Sequence, residues 1–157
     1  ASSVLLLEGG VIRKELDKDS QVLAYCKYLA KYVRQVHAPR STRRACLVVP
    51  HVPDDKGEPR PLGLISIWST PRFLSNSVML DFVFVWRTVE AFIGLPYSLY
   101  GSIQLAEQLT QKVAETAGLG ADTVKLGELN YVALSLHIGS DEFHTRVAKQ
   151  IVDMASD

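Results

Sequence analysis

The segment VMLDFVFVW, residues 78–86, is apolar at every position except Asp81. A short run this rich in β-branched and aromatic residues predicts a buried β-strand. A second apolar segment, GLISIWS at residues 63–69, precedes it, and the residues between the two contain proline, serine and asparagine. Two strands joined by such a turn predict a β-hairpin. The fold must therefore be organised around a sheet.

Helical patterns flank this hairpin. Apolar residues at helical spacing follow the capping residues Asp19 and Ser20. They recur between Leu99 and Ala117, which predicts a helix that starts at Leu99 after a turn at Gly94–Pro96. A last helix is predicted after a cap at Asp141. Two further strands are predicted at residues 45–49 and 128–138, and a turn-rich loop at residues 51–61. The order of elements is mixed and not regularly alternating, which predicts an α+β domain. At 157 residues, the whole chain, 1–157, fits one domain.

Composition excludes several classes of function. The chain has 17 basic and 17 acidic side chains, so no net field favours nucleic acid or a membrane surface. No apolar run reaches the roughly 18 residues of a spanning helix. Cys26 and Cys46 lie within apolar patterns, which favours a reducing, cytoplasmic location. The start lacks the basic region of a signal peptide and an initiator methionine, so we expect processing or a missing N-terminal part.

General catalytic motifs are absent from the sequence. It contains no glycine-rich phosphate loop, no G-x-S-x-G elbow and no cysteine or histidine spacing typical of zinc. The four histidines have no histidine four residues away: they are His37, His51, His137 and His144. No metal site is predicted.

Four segments in order resemble the thymidylate synthase family, which includes the pyrimidine nucleotide hydroxymethylases. Three of them are STRRACLVVP at 41–50, VWRTVEAFIGLPYSLYGSIQLAEQL at 85–109 and GELNYVALSLHIGSDEF at 127–143. The fourth is PRPLGLISIW at 59–68, whose spacing to the Arg87 strand suits the hairpin that carries the family's nucleophile. The resemblance covers about residues 20–155. It implies a thymidylate synthase-like mixed sheet with packed helices, a dimer through the sheet, and a chain without the family's N-terminal segment.

The resemblance also assigns a phosphate site. Arg87 matches the arginine that binds the nucleotide phosphate, and Thr88 matches the neighbouring hydroxyl. Arg43 and Arg44 match the pair that reaches across the dimer to the other subunit's phosphate. Guanidinium groups suit this task because their planar fork of donors fits phosphate oxygens.

A structural interpretation of the same residues stays open. The arginine pair at 43–44 would then be a solvated corner between helix and strand. Arg87 would form a strand-end salt bridge to Glu90 or Asp81. The reason for this interpretation is that charged side chains at strand ends are usually solvated.

Two more positions come from the resemblance. His137 matches the histidine near the sugar, although a satisfied core histidine is the alternative. Ser98 stands where an asparagine reads the pyrimidine edge, and Glu90 replaces an aspartate. Serine cannot make a two-point amide contact, and Gly139 replaces a tyrosine that contacts the sugar. Recognition of uracil is therefore in doubt.

The largest departure concerns the nucleophile. The family uses a cysteine just after a proline-rich loop, but Leu62 or Gly63 occupies that place here. Cys26 and Cys46 belong to other elements. Because covalent catalysis requires a thiolate, methyl transfer to deoxyuridylate is not expected, and use of a folate cofactor is in doubt.

Three functions follow from these observations. The first is a protein without methyltransferase chemistry that binds a pyrimidine nucleotide or other phosphorylated molecule, as a homodimer or with a related subunit. The second is an enzyme of altered acid–base chemistry that uses Glu90, His137 or Asp141 without a covalent adduct. The third is an interaction domain, in which the motifs no longer bind a ligand.

Overall fold

In the residues that the computed structural model describes, three helices accompany a four-stranded sheet. These residues are 20–34, 42, 44–49, 52–53, 59–60 and 63–155. The helices are α1 (Ser20–Arg34), α2 (Gly94–Ala117) and α3 (Glu142–Met154). The longer strands are β1 (Cys46–Val48), β4 (Leu64–Phe73), β5 (Val78–Trp86) and β7 (Val124–Ala133). The short strands are β2 (Val52–Pro53), β3 (Pro59–Arg60), β6 (Val89–Glu90) and β8 (Leu136–His137).

The main sheet has the strand order β1-β4-β5-β7. The β1–β4 and β4–β5 pairs are antiparallel, whereas β5 and β7 are parallel, with α2 in the connection between them. The predicted hairpin and the α+β class with a mixed sheet are confirmed. Two small ladders stand apart from this sheet: β2 pairs with β3 within the predicted loop, and β6 pairs with β8.

One face of the sheet packs on the helices. Along β5, Leu80, Phe82 and Phe84 are fully buried, and the residues between them are only partly covered. Leu29 of α1 and Leu109 of α2 belong to the same hydrophobic cluster. Each such side chain contributes roughly 1.5–3 kcal/mol by leaving water, so this layer stabilises the platform on which the strand ends lie.

The strand β4 is longer than predicted, because it continues through Pro71 to Phe73. The Ser69 amide points toward β1 and donates to the Ala45 carbonyl at 2.9 Å. The nitrogen of Pro71, two residues on, points the same way, beyond the last residue pair of β1 with β4. Proline therefore removes no ladder hydrogen bond there.

The helix α2 begins earlier than predicted. The expected turn at Gly94–Pro96 is its first turn, so the prediction that the helix starts at Leu99 is wrong. Proline is tolerated in a first turn because amides there have no partner within the helix. At the C-terminal end of α2, Gly118 adopts the left-handed conformation with φ 67°. The Arg34 guanidinium of α1 donates to the Ala117 carbonyl at 2.6 Å.

A bulge interrupts the pairing of β5 with β7. The register shifts at Asp81, which faces both Gly127 and Glu128. The Asp81 carboxylate fills the gap: Oδ1 accepts the Glu128 amide at 2.8 Å, and both oxygens accept from the Arg72 guanidinium at 2.9 Å. A Cβ at Gly127 would lie 2.0 Å from Asp81 Oδ1. The bulge therefore requires glycine at this position.

The other face of the sheet is open. Near the β1 edge and the end of β7 it carries apolar side chains, with Val48 53%, Trp68 44% and Val132 39% exposed. The helix α3 also has exposed apolar side chains, and none of its residues is buried. Within the described residues, no helix has the length and hydropathy needed to cross a membrane.

Candidate functional site

The end of β5 and the β6–β8 ladder form a polar corner. Arg87 follows β5 directly, and its backbone amide donates to the Gly63 carbonyl at 2.7 Å. The Thr88 hydroxyl lies 3.0 Å from His137 Nδ1 and hydrogen-bonds to it. Thr88 immediately precedes β6, and His137 ends the paired strand β8. We call Arg87, Thr88 and His137 the phosphate corner, because the resemblance predicts phosphate contacts for Arg87 and Thr88 and a sugar contact for His137.

The Arg87 side chain is exposed and makes no hydrogen bond or ion pair with any described residue. The carboxylates expected to compete for it are engaged elsewhere, since Asp81 binds Arg72 and Glu90 binds backbone amides. The salt bridges that the structural interpretation required are therefore not formed. The Arg87 guanidinium therefore has donors that no described residue uses, and these suit an anion.

Glu90 caps α2. Its Oε1 accepts the Phe92 amide at 2.9 Å, and its Oε2 accepts the amides of Ile93 at 2.6 Å and Gly94 at 3.1 Å. These donors lower the pKa of Glu90 to about 2, although burial acts in the opposite direction. The carboxylate is ionised at neutral pH and occupies the anion-binding end of the helix.

The predicted arginine pair is not beside Arg87. Arg43 lies outside the described residues, and the exposed Arg44 precedes β1. Extension of the β1–β4–β5 register places Arg44 level with Asp81. From Asp81 to Arg87 along β5 is about 20 Å, at roughly 3.3 Å per residue. Arg44 therefore cannot join the phosphate corner of its own chain.

The proposed base-reading residue, Ser98, belongs to a hydroxyl network. Its Oγ lies 2.6 Å from the Tyr131 hydroxyl and 3.1 Å from the Leu95 carbonyl oxygen. The Tyr131 ring stacks on Trp86 with centroids 6.0 Å apart, and Trp86 Nε1 donates to the Ser102 hydroxyl at 3.2 Å. Ser98 thus meets a second hydroxyl that no sequence signal indicated, because the partner comes from β7.

Asp141 and His144 form a second polar group next to the corner. Asp141 Oδ1 accepts the His144 amide at 2.9 Å, which confirms the predicted helix cap. Asp141 Oδ2 hydrogen-bonds to His144 Nδ1, and His144 Nε2 lies 3.6 Å from Glu90 Oε1. Sequence reasoning missed His144, although its place three residues after a helix cap was a usable signal.

No protein-family model and no curated protein matches the sequence. Among solved structures, the thymidylate synthase of phage T4 superposes with a TM-score of 0.55 at 16% identity, over 89% of this chain. The chain has a thymidylate synthase-like fold. The thermostable thymidylate synthase A of Bacillus subtilis matches 80% of this chain at 16% identity, with a TM-score of 0.48. The chain spans 42% of the phage protein and 39% of the bacterial one.

The sequence resemblance predicts the nucleophile position at Leu62 or Gly63. Leu62 lies outside the described residues, and Gly63 faces the Trp86 ring, where a Cβ would lie 3.0 Å from two ring atoms. Cys26 is fully buried, and burial raises its pKa to about 12. Burial also raises the pKa of Cys46, which lies on β1 opposite Trp68. Neither cysteine is a reactive thiolate.

The sequence resemblance also predicts that Gly139 replaces a sugar-contacting tyrosine. Gly139 lies against the His144 imidazole, and a Cβ at this position would be 2.7 Å from Nδ1. The ring of His144 thus takes the space that a side chain at residue 139 would need. In the part of the chain that the structure describes, no group of three His, Cys, Asp or Glu side chains is arranged to hold a metal ion.

Proposed function

We propose that this chain binds a phosphorylated ligand, a pyrimidine nucleotide in the first instance, at Arg87, Thr88 and His137. The Arg87 guanidinium, which pairs with none of the described residues, carries the proposal, because both carboxylates expected to neutralise it have other partners. An arginine, a hydroxyl and an imidazole together suit a tetrahedral dianion. The thymidylate synthase-like fold supports a nucleotide as the source of that phosphate.

Methyl transfer is not part of this proposal. The chemistry of the family that the sequence resembles begins with a thiolate, and the two cysteines of the chain have raised pKa values away from the corner. A cysteine introduced at Gly63 would also collide with Trp86. A folate cofactor would have no activated pyrimidine to react with, so we propose ligand binding without this reaction.

Acid–base catalysis has less support. Glu90 accepts three backbone hydrogen bonds, which favours its ionised form and makes it a weak base near neutral pH. Asp141 caps α3, and hydrogen bonds from His144 lower its pKa. His137 is the remaining candidate, and its Nδ1 already pairs with Thr88.

The Arg87→Ala variant tests the binding proposal. We expect calorimetry to show binding of deoxyuridylate, deoxycytidylate or cytidylate, with the unphosphorylated nucleosides much weaker. Arg87→Ala should weaken nucleotide binding by about tenfold to a hundredfold, since hydrogen bonds to charged groups contribute roughly 1.5–3 kcal/mol. Lys125→Ala, which removes an exposed cation from β7, is the control and should bind normally. Equal binding of nucleosides and nucleotides, or none of either, would favour the interaction domain.

We also propose that two copies associate through the open face of the sheet. Arg44 lies about 20 Å from the corner of its own chain along the strands, so a second chain is needed to bring it there. The exposed Trp68 and Val48 supply an apolar surface for such a contact. A related subunit could replace the second copy.

Sedimentation equilibrium tests this association. We expect a dimer for the wild type and an at least tenfold weaker dimer for Trp68→Asp, because a buried aromatic residue at an interface centre commonly contributes about 2 kcal/mol or more. Leu74→Asp changes an equally exposed apolar residue in the β4–β5 turn and should leave the dimer intact. A wild-type chain that stays monomeric would exclude the homodimer.

A further inference from the structure

The imidazole of His144 is confined in one position between α3 and the start of α2. Its side chain is 12% exposed. The ring stacks on Phe92 with centroids 6.0 Å apart and meets the edge of Phe143 at 5.5 Å. Gly139 lies against it so closely that a methyl group there would come within 2.7 Å of Nδ1. Packing therefore fixes where the two ring nitrogens point.

Each ring nitrogen faces a carboxylate from a different part of the chain. Nδ1 hydrogen-bonds to Asp141 at the start of α3, and Nε2 lies 3.6 Å from Glu90 Oε1 on β6. Nε2 is buried and makes no hydrogen bond with any described residue. The imidazole is thus placed between two acidic groups, one of which it does not yet bind.

The two carboxylates keep their charge where histidine titrates. The amides of Phe92 and Ile93, just before α2, and of Gly94, its first residue, lower the pKa of Glu90 to about 2. The His144 amide and imidazole lower the pKa of Asp141. Histidine is the side chain that normally changes charge between pH 5 and 8.

We propose that His144 is a positioning residue for the phosphate corner, acting as a proton-dependent bridge between Asp141 and Glu90. The protonated ring has two N–H donors, one for each carboxylate. The neutral ring has one, which Asp141 takes, so the Nε2 lone pair then faces the Glu90 carboxylate and repels it. Proton uptake from solvent therefore ties α3 to β6, and proton loss loosens this tie.

The bridge reaches the corner through the β6–β8 ladder. Glu90 lies opposite His137 in this ladder, and Thr88, two residues before Glu90, hydrogen-bonds to His137. A shift of Glu90 therefore moves both partners of that hydrogen bond. None of the residues of α3 is buried, so little other packing opposes its release. The effect on a ligand rests on the proposed function, whereas the bridge itself does not.

Hydrogen exchange in the free chain tests the bridge. We expect the protection of α3 amides, relative to unstructured rates at each pH, to be about tenfold higher at pH 5.5 than at pH 8 in the wild type. His144→Gln and Glu90→Gln should abolish the difference, and Lys149→Gln, on the exposed side of α3, should retain it. Equal protection of the α3 amides at both pH values in the wild type would overturn the proposal. This measurement does not depend on the folding of any variant. An undiminished difference in His144→Gln would overturn it as well.

Binding of inorganic sulfate, whose charge is constant over this range, tests the effect on the corner. The informative quantity is the ratio of dissociation constants between His144→Gln and wild type, because pH effects that the two chains share cancel in this ratio. We expect this ratio to be about five at pH 5.5 and near one at pH 8. A ratio independent of pH would overturn the positioning role. No sulfate or nucleotide binding by the wild type would instead reject the phosphate corner, while the exchange experiment would still decide the bridge.

Discussion

Replacement of Gly127 by alanine is expected to lower the free energy of unfolding by about 2–4 kcal/mol. The new Cβ would lie 2.0 Å from Asp81 Oδ1 and 3.2 Å from the Leu80 carbonyl oxygen. Asp81 must then leave the bulge, which takes the partner from the Glu128 amide and from Arg72. Overpacking costs roughly 1–3 kcal/mol, and loss of the exposed hydrogen bonds of Asp81 adds about 1 kcal/mol. Urea denaturation of both chains measures the difference.

Two comparisons make this result specific. Gly101→Ala is the matched control, because a Cβ at this position on α2 meets nothing within 4 Å. It should stabilise the chain by roughly 0.5–1 kcal/mol, since alanine favours the helix. In the background of Asp81→Ala, the Gly127→Ala change should cost much less than alone, because the clashing carboxylate is gone. If Gly127→Ala lowers the free energy of unfolding as much in the Asp81→Ala background as in the wild type, the strain lies outside the bulge.

The Glu90→Gln variant is expected to lower the melting temperature by several degrees at pH 7. The carboxylate accepts three amides at the start of α2, whereas an amide side chain has one acceptor oxygen and presents its own donors to the others. Loss of the charge also removes a favourable interaction with the helix dipole.

The pH dependence identifies this mechanism. The pKa of Glu90 falls from an ordinary 4.5 to about 2 in the folded chain. Its contribution to stability is therefore fully present above pH 4.5 and is lost as the pH falls toward 2. We expect the gap in melting temperature between wild type and Glu90→Gln to shrink as the pH falls below 5. Glu107→Gln, exposed on α2, should show no such gap. A gap unchanged down to pH 3 would contradict the role of the charge.

Sequence patterns predicted the sheet and its two packed helices because burial imposes a period of two on strands and 3.6 on helices. The hairpin of β4 and β5 followed from two apolar runs and a turn between them. The start of α2 could not be predicted in this way. Its first turn is stabilised by Glu90, a residue outside the helix, and propensity alone does not include such a contact.

The candidate site was predicted only in part. A strand end identified Arg87 and Thr88 as polar residues in an unusual place, but their relation to His137 depends on the pairing of β6 with β8. The same holds for Ser98 and Tyr131, which lie 33 residues apart and meet by a hydroxyl contact. In the sequence, Asp81 was recognisable only as a polar residue that interrupts an apolar run. Its function in the bulge depends on the register of β5 against β7.

The parallel pairing of β5 with β7 also affects how the chain folds. The Asp81–Glu128 hydrogen bond joins residues 47 positions apart, whereas Arg72 and Asp81 of the hairpin are only 9 apart. Closing the longer loop costs more conformational entropy, so the hairpin can form before β7 pairs with β5. The bulge is then completed after the transition state. Defects at Gly127 or Asp81 should consequently accelerate unfolding and leave the folding rate almost unchanged.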